Sequence, residues 1–149
     1  MADLTVTITE DLTLNSSSVG TSNTKVISSI IDVYKRIVTC PALQTTTVAT
    51  FADNVYDSAG AIDAQGVKYV RITNLSETYD IELAVVGAAT LYQVHITAGN
   101  SHMLNRADDC MLSEADTSPS FGTMADLASL QVRPTAGSDV NVDLFIATT

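Results

Sequence analysis

Two histidines, two cysteines and a scatter of carboxylates are the side chains of this 149-residue chain that could do chemistry. Nucleophilic catalysis needs a nucleophile held beside a base. His95 alternates with Val94 and Ile96, which puts it on a strand face opposite the core. His102 follows the Ala98-Gly99-Asn100-Ser101 turn, so both histidines read as surface or half-buried strand residues. Cys110 sits among acidic residues that disfavour its thiolate, the reverse of what a reactive cysteine needs. His95 and His102 with Asp108 or Asp109 could make a mixed nitrogen/oxygen metal site, but their spacing matches no closed motif. The acidic segment lacks the DxDxDG pattern and terminal glutamate of a calcium loop. Asp80 with Glu82, and Asp139 with Asp143, lie two or four apart on strands. They could do acid/base work only in a cleft; as solvent-face charges they discourage edge-to-edge aggregation, which is the expectation here. The seven glycines form no phosphate cradle. Tyr69, with Lys68 and Arg71 beside it, is too little for base stacking and reads as a strand-edge tyrosine. The sequence therefore points to no catalytic, cofactor-binding or metal-ligating residue.

The elements that would position these groups are strands. Leu4, Val6 and Ile8 alternate with Thr5, Thr7 and Thr9, a half-buried strand extended by Leu12 and Leu14. Asn15–Asn23 is polar, small and glycine-bearing, and reads as a flexible connection to the body. Residues 24–40 can be read two ways. Ile27, Ile30, Ile31, Tyr34 and Val38 trace a helical face that Asn23 or Thr24 could cap. The many β-branched residues favour instead a long strand with a bulge or kink near Ser28-Ser29, ended by Pro41. Further strands are expected over 45–51, 67–73, 79–85, 92–97, 102–104, 130–133 and 140–146, with turn residues between them. Asn105–Asp126 is irregular and acidic, holding Asp108, Asp109, Glu114, Asp116 and Asp126 against Arg106, with room for one helical turn at Met124–Ala128.

Eight or nine short strands without βα alternation predict one all-β domain, an antiparallel sandwich or jelly-roll-like fold of about eight strands. Residues 1–23 are either an extended N-terminal arm with its connection or the first strand of that sandwich. As an arm, Leu4, Val6 and Ile8 are the candidate interface residues, pairing with a neighbour's sheet edge through main-chain hydrogen bonds.

Composition narrows the function. Seven Lys+Arg against 17 Asp+Glu give a net charge of −10 and a pI near 4.2, which repels phosphate backbones and argues against nucleic-acid partners. The 20 Thr and 14 Ser supply soluble β faces without lysine. The first residues lack the basic and apolar regions of a secretory signal, and no run approaches the ~18 apolar residues of a membrane helix. Cys40 and Cys110, far apart and outside any CxxC, are expected to be reduced, buried thiols. With five Tyr, three Phe and no Trp, the chain is poor in the aromatics a carbohydrate site would use.

Four phrases carry a resemblance: Val33-Tyr34-Lys35-Arg36-Ile37-Val38, Val67-Lys68-Tyr69-Val70-Arg71-Ile72-Thr73-Asn74-Leu75, Ala98-Gly99-Asn100-Ser101-His102-Met103-Leu104, and Val140-Asn141-Val142-Asp143-Leu144-Phe145-Ile146-Ala147. In this order, over roughly residues 4–147, the chain resembles small structural proteins of tailed bacteriophages, particularly aquatic and cyanobacterial phages. It departs from them at His102, where an aromatic is usual. The resemblance implies a virion component without active residues or cofactor, made in the host cytoplasm. Its partners would be the major capsid protein or other virion proteins, and its state a homo-oligomer, trimer or dimer. Capsid decoration is the first expectation. A tail, neck or head-fibre part comes second, and a ligand-binding β-sandwich third.

Overall fold

A computed structural model describes residues 1–54, 59–87, 91–112, 118 and 121–149. Their strands are β1 (Ala2–Thr9), β2 (Thr13–Leu14), β3 (Ser17–Ser18), β4 (Ser22–Ile30), β5 (Asp32–Cys40), β6 (Thr46–Ala52), β7 (Ile62–Asp63), β8 (Val67–Asn74), β9 (Ile81–Gly87), β10 (Leu91–Ile96), β11 (Ser101–Leu104), β12 (Leu127–Pro134) and β13 (Val140–Thr148). Among the described residues no helix is long and apolar enough to cross a membrane.

The body is a sandwich of two sheets. One has the order β5-β13-β8-β11, the other β6-β12-β9-β10 with β7 added beyond β6. The chain changes sheet at β5→β6, β7→β8, β8→β9, β10→β11, β11→β12 and β12→β13. That nesting is a jelly roll, two Greek keys wound together, so the all-β expectation holds in its more specific form. Among the described residues every pairing in the body is antiparallel except the short parallel contact of Phe51 with Ile62 and Ala52 with Asp63.

Strand periodicity explains which side chains fill the space between the sheets. Val140, Val142, Leu144 and Ile146 of β13 are buried, as are Ile81, Leu83 and Val85 of β9 and Leu130 and Val132 of β12. Each is a branched aliphatic at every second position, and burying each contributes about 1.5–3 kcal/mol. Among the described residues, Asn74 is the polar exception at the core's margin. Its amide donates to the carbonyls of Tyr79 (2.8 Å) and Ile96 (3.3 Å), and its Oδ1 accepts from Ser76 N–H (3.0 Å). Its own N–H donates to Asn100 O at 2.9 Å. One side chain thus ties the β8–β9 corner to the end of β10.

Several expectations change. Residues 24–40 are extended but divided at Ile31 between β4, which pairs only with β1, and β5, which pairs with β13. The kink lies at Ser28-Ser29: Leu4 faces Ile27 while Ala2 faces Ile30, so β4 carries an extra residue there, and Ser29 has φ 66°. Asn15–Asn23 is a turn and the start of a return strand rather than a flexible connection, because Asn15 and Ser16 close a two-residue hairpin. Met124–Ala128 is extended, not a helical turn: Ala125 bridges Met111, and β12 starts at Leu127. The Ala125 carbonyl and N–H and the Leu127 N–H are spent on Cys110, Met111 and Ala107 across the loop rather than on a local helix. Glu114 and Asp116 lie outside the described residues.

Candidate functional site

The feature that stands apart from the jelly roll is the hairpin of residues 2–30. Its tip follows from two residues. Asn15 (φ 51°) and Ser16 (φ 66°) both occupy the left-handed region between the paired Leu14 and Ser17, as a type I′ turn requires; its hand matches the strand twist. Farther down, Gly20 passes so close to the Glu10 carbonyl that a Cβ would stand 2.1 Å from that oxygen. The chains touch there between two hydrogen bonds, Val19 N–H to Leu12 O and Glu10 N–H to Thr21 O. Hydroxyls line one face of the ladder, with Thr7 bonded to Thr24 (3.0 Å) and Thr9 to Ser22 (3.1 Å). Leu4, Val6 and Ile8 line the other, opposite Ile27, Lys25 and Asn23.

That apolar face rests on the outer side of the β5-β13-β8-β11 sheet. Leu4, Val6 and Ile27 pack with Ile30, Tyr69, Ala147 and Phe145, a cluster separate from the core between the sheets. Tyr69 is only 9% exposed and its hydroxyl lies 3.3 Å from Met103 Sδ. It therefore lies on the inner strand β8 beneath the hairpin, a correction of its reading as a strand-edge tyrosine. From Ile30 the hairpin runs over Tyr69 toward β11, where a shallow cleft is lined by Ile8, Lys25, Met103 and Asn105. Beyond this the hairpin leaves the body: Leu12, Leu14 and Val19 are exposed, and Ile8 is 45% exposed.

The three interface candidates therefore divide. Leu4 and Val6 are half-buried against their own body, and Ile8 stands at the start of the free half. All four phrases that carry the family resemblance fall in one sheet, in β5, β8, β11 with its preceding turn, and β13.

Next to the hairpin, Arg71 Nη2 binds Asp143 Oδ2 at 2.6 Å, and its guanidinium lies 5.8 Å from the Phe145 ring centre. Among the described residues, Arg71 Nε and Asp143 Oδ1 have no hydrogen-bond partner. Asp143 is thus a paired, largely covered carboxylate, a correction of its reading as a solvent-face charge. Asp139 works separately, accepting the Ala42 N–H at 2.9 Å.

The remaining chemical candidates are dispersed. His95 Nε2 meets Asp80 Oδ2 at 3.0 Å, and Asp80 Oδ1 accepts the Ala98 N–H at 2.9 Å. The His95 hydrogen bond, then the Ala98 N–H, hold the Asp80 carboxyl below its ordinary range. His102 faces Tyr92 instead, 3.4 Å from its hydroxyl, and burial pushes its pKa down. Burial, reinforced by Asp126 and Asp108, pushes the Cys110 thiol up, and Cys40 is raised by burial as well. Arg106 forks onto Asp108 (3.0 and 2.7 Å), while Asp126 accepts the Asp109 N–H. No group of three or more His, Cys, Asp or Glu that could hold a metal occurs among the described residues. Glu82 lines an open groove of about 460 Å³ on the other sheet, with Thr45, Gln93, Gln131 and Arg133. Sequence reasoning missed the Arg71–Asp143 pair, 72 residues apart, and the hairpin's return strand, for which Asn15-Ser16 between two β-prone runs was the available signal. Compared with known proteins, the chain matches no family model, no curated sequence and no solved structure.

Proposed function

We propose that this chain is a non-enzymatic structural protein of a tailed-phage virion, a decoration or cement protein that binds the major capsid protein lattice. One observation carries the reading: a self-fastened β-hairpin whose far half places apolar side chains outside the chain's own fold. A monomer gains nothing from exposing Leu12, Leu14 and Val19 on a ribbon with two open edges. An assembling subunit gains an attachment strand. The resemblance of the four sequence phrases, which fall on the β5-β13-β8-β11 sheet, to phage structural proteins supports a place in the virion. The jelly roll, used by capsid and lectin domains alike, is compatible at the level of fold analogy. Acidity suits a shell component that must avoid packaged DNA.

The test is quantitative mass spectrometry of purified virions, followed by imaging of the capsid. Hundreds of copies per particle on the outer shell support decoration. A dozen or fewer at one vertex assign the chain to the neck, tail or head fibre, and absence from the particle overturns the reading.

A further inference from the structure

Resting on the reading of the chain as an assembling structural protein, we infer that the free half of the hairpin docks on a second copy of the same chain, along the open edge of its β5. β5 closes one side of its sheet with nine residues, and among the described residues no strand lies beyond it. It is the longest free edge of the body; β10 has six residues, β11 four and β7 two. The seven residues of the free half from Ile8 to Leu14, at ~3.3 Å per residue, span most of that edge.

Charge identifies the partner. In a chain of net charge −10, the β5-β13-β8-β11 sheet carries Lys35, Arg36, Lys68 and Arg71 against Asp32 and Asp143. Among the described residues no carboxylate lies within ion-pair distance of Lys35 or Arg36; Arg36 instead donates to the Tyr34 hydroxyl at 2.7 Å. Residues 8–24 of the hairpin carry Glu10 and Asp11 and no basic residue. Two β5 edges would oppose Lys35 and Arg36 to themselves, and two hairpin tips would oppose Glu10 and Asp11. Hairpin on β5 pairs opposite charges, so the contact is selected against both self-pairings. Apolar groups match as well: Ile8, Leu12 and Leu14 on the hairpin, and Ile31, Val33 and the 65% exposed Ile37 on or beside the edge.

Direction excludes the chain's own β5. The hairpin leaves its body over Tyr69 and Met103, on the β11 side, whereas β5 lies at the other end of the same sheet. Donor and acceptor on opposite ends make a head-to-tail contact, which closes into a ring or runs on as a chain of subunits.

The experiment is sedimentation and light scattering of the full-length chain over a range of concentration and salt. Two charge reversals are compared with it, Lys35→Glu with Arg36→Glu and Glu10→Lys with Asp11→Lys, along with the four-substitution chain. Circular dichroism melts establish that each variant is folded. The expected result is concentration-dependent association that salt weakens, and a loss of roughly tenfold or more in affinity for each double reversal. Association should return in the four-substitution chain and in an equimolar mixture of the two double variants, where both hairpin-to-edge pairs again have opposite charges. A wild-type chain that stays monomeric, or reversals that leave association unchanged, overturn the inference. The virion reading fails separately: a monomeric chain found on capsids overturns only the inference, and a self-associating chain absent from particles overturns only the virion reading.

Discussion

Tyr69 meets Phe145 edge-on, with 6.1 Å between ring centres and 67° between planes, on the outer face of the β5-β13-β8-β11 sheet. Leu4, Val6 and Ile27 sit on this pair, so it fastens the hairpin to the body. Edge-to-face rings add about 0.5–1.5 kcal/mol beyond the area they bury. Tyr69→Ala is therefore expected to cost about 3 kcal/mol, at the low end for a covered aromatic. It should also speed proteolytic cleavage within residues 9–22. Tyr69→Phe keeps the ring contacts and should stay within about 1 kcal/mol of wild type. Urea unfolding with limited proteolysis measures both; unchanged cleavage in Tyr69→Ala would show that the hairpin is held by something else.

Asn74 is the polar residue whose loss should cost most. Replacing it with Ala leaves the Tyr79 and Ile96 carbonyls and the Ser76 N–H without their side-chain partner. The expected penalty is roughly 2–3 kcal/mol by chemical denaturation. Asn74→Asp should be worse, because a carboxylate would face the two carbonyl oxygens that the amide now serves. An aspartate variant as stable as wild type would refute this account.

What was legible in the sequence follows from what strand periodicity encodes. Val140, Val142, Leu144 and Ile146 announce an inward face, and the same pattern repeats often enough to name an all-β sandwich. Periodicity says nothing about which strand neighbours which. β8 and β13 become partners across more than sixty intervening residues, so the placing of Arg71 near Asp143 was hidden. Tyr69 was misread for the same reason: its strand looks ordinary until the hairpin lies on it. Residues 24–40 show the reverse case. Their β-branched content indicated extension and their two serines the kink, while the division of the run between two sheets depends on Ile31, whose N–H bonds Thr148 O. The candidate site was half visible: Leu4, Val6 and Ile8 mark a strand with an apolar face, but only the return strand decides which of them its own body covers.

Two groups should make stability depend on pH in separate windows. Burial lowers the pKa of His102 below its ordinary 6.5, so the folded protein binds fewer protons there than the unfolded chain. Its contribution is fully present above pH 6.5 and is lost as pH falls through the lower folded value. Asp80, held below 3.8 by His95 and the Ala98 N–H, has the same sign in a more acidic window. Stability should thus decline from about pH 6.5 downward, with a second loss below the ordinary carboxylate range. His102→Gln should remove the first decline and Asp80→Asn the second. Denaturation midpoints against pH check both, and a first decline that persists in His102→Gln would assign it to another group.

The two thiols should behave as packing atoms and differ by their cover. Cys40 is fully buried where β5 meets β13, opposite Val140, and Cys110 is half-buried near Asp108 and Asp126. Both are free, and burial raises both pKa values, so little thiolate exists at neutral pH. A thiol reagent at pH 8 should label Cys110 slowly and Cys40 only at the rate at which the sandwich opens. Two equivalents should react at once in denaturant. Slow labelling of Cys40 also reports the strength of the β5–β13 pairing, since exposing its sulfur requires β5 to detach. If the hairpin of a second copy adds to the outer edge of β5, Cys40 labelling should slow further as protein concentration rises, while labelling of Cys110, on the loop after β11, should not. Equal concentration dependence at the two sites would locate the contact elsewhere.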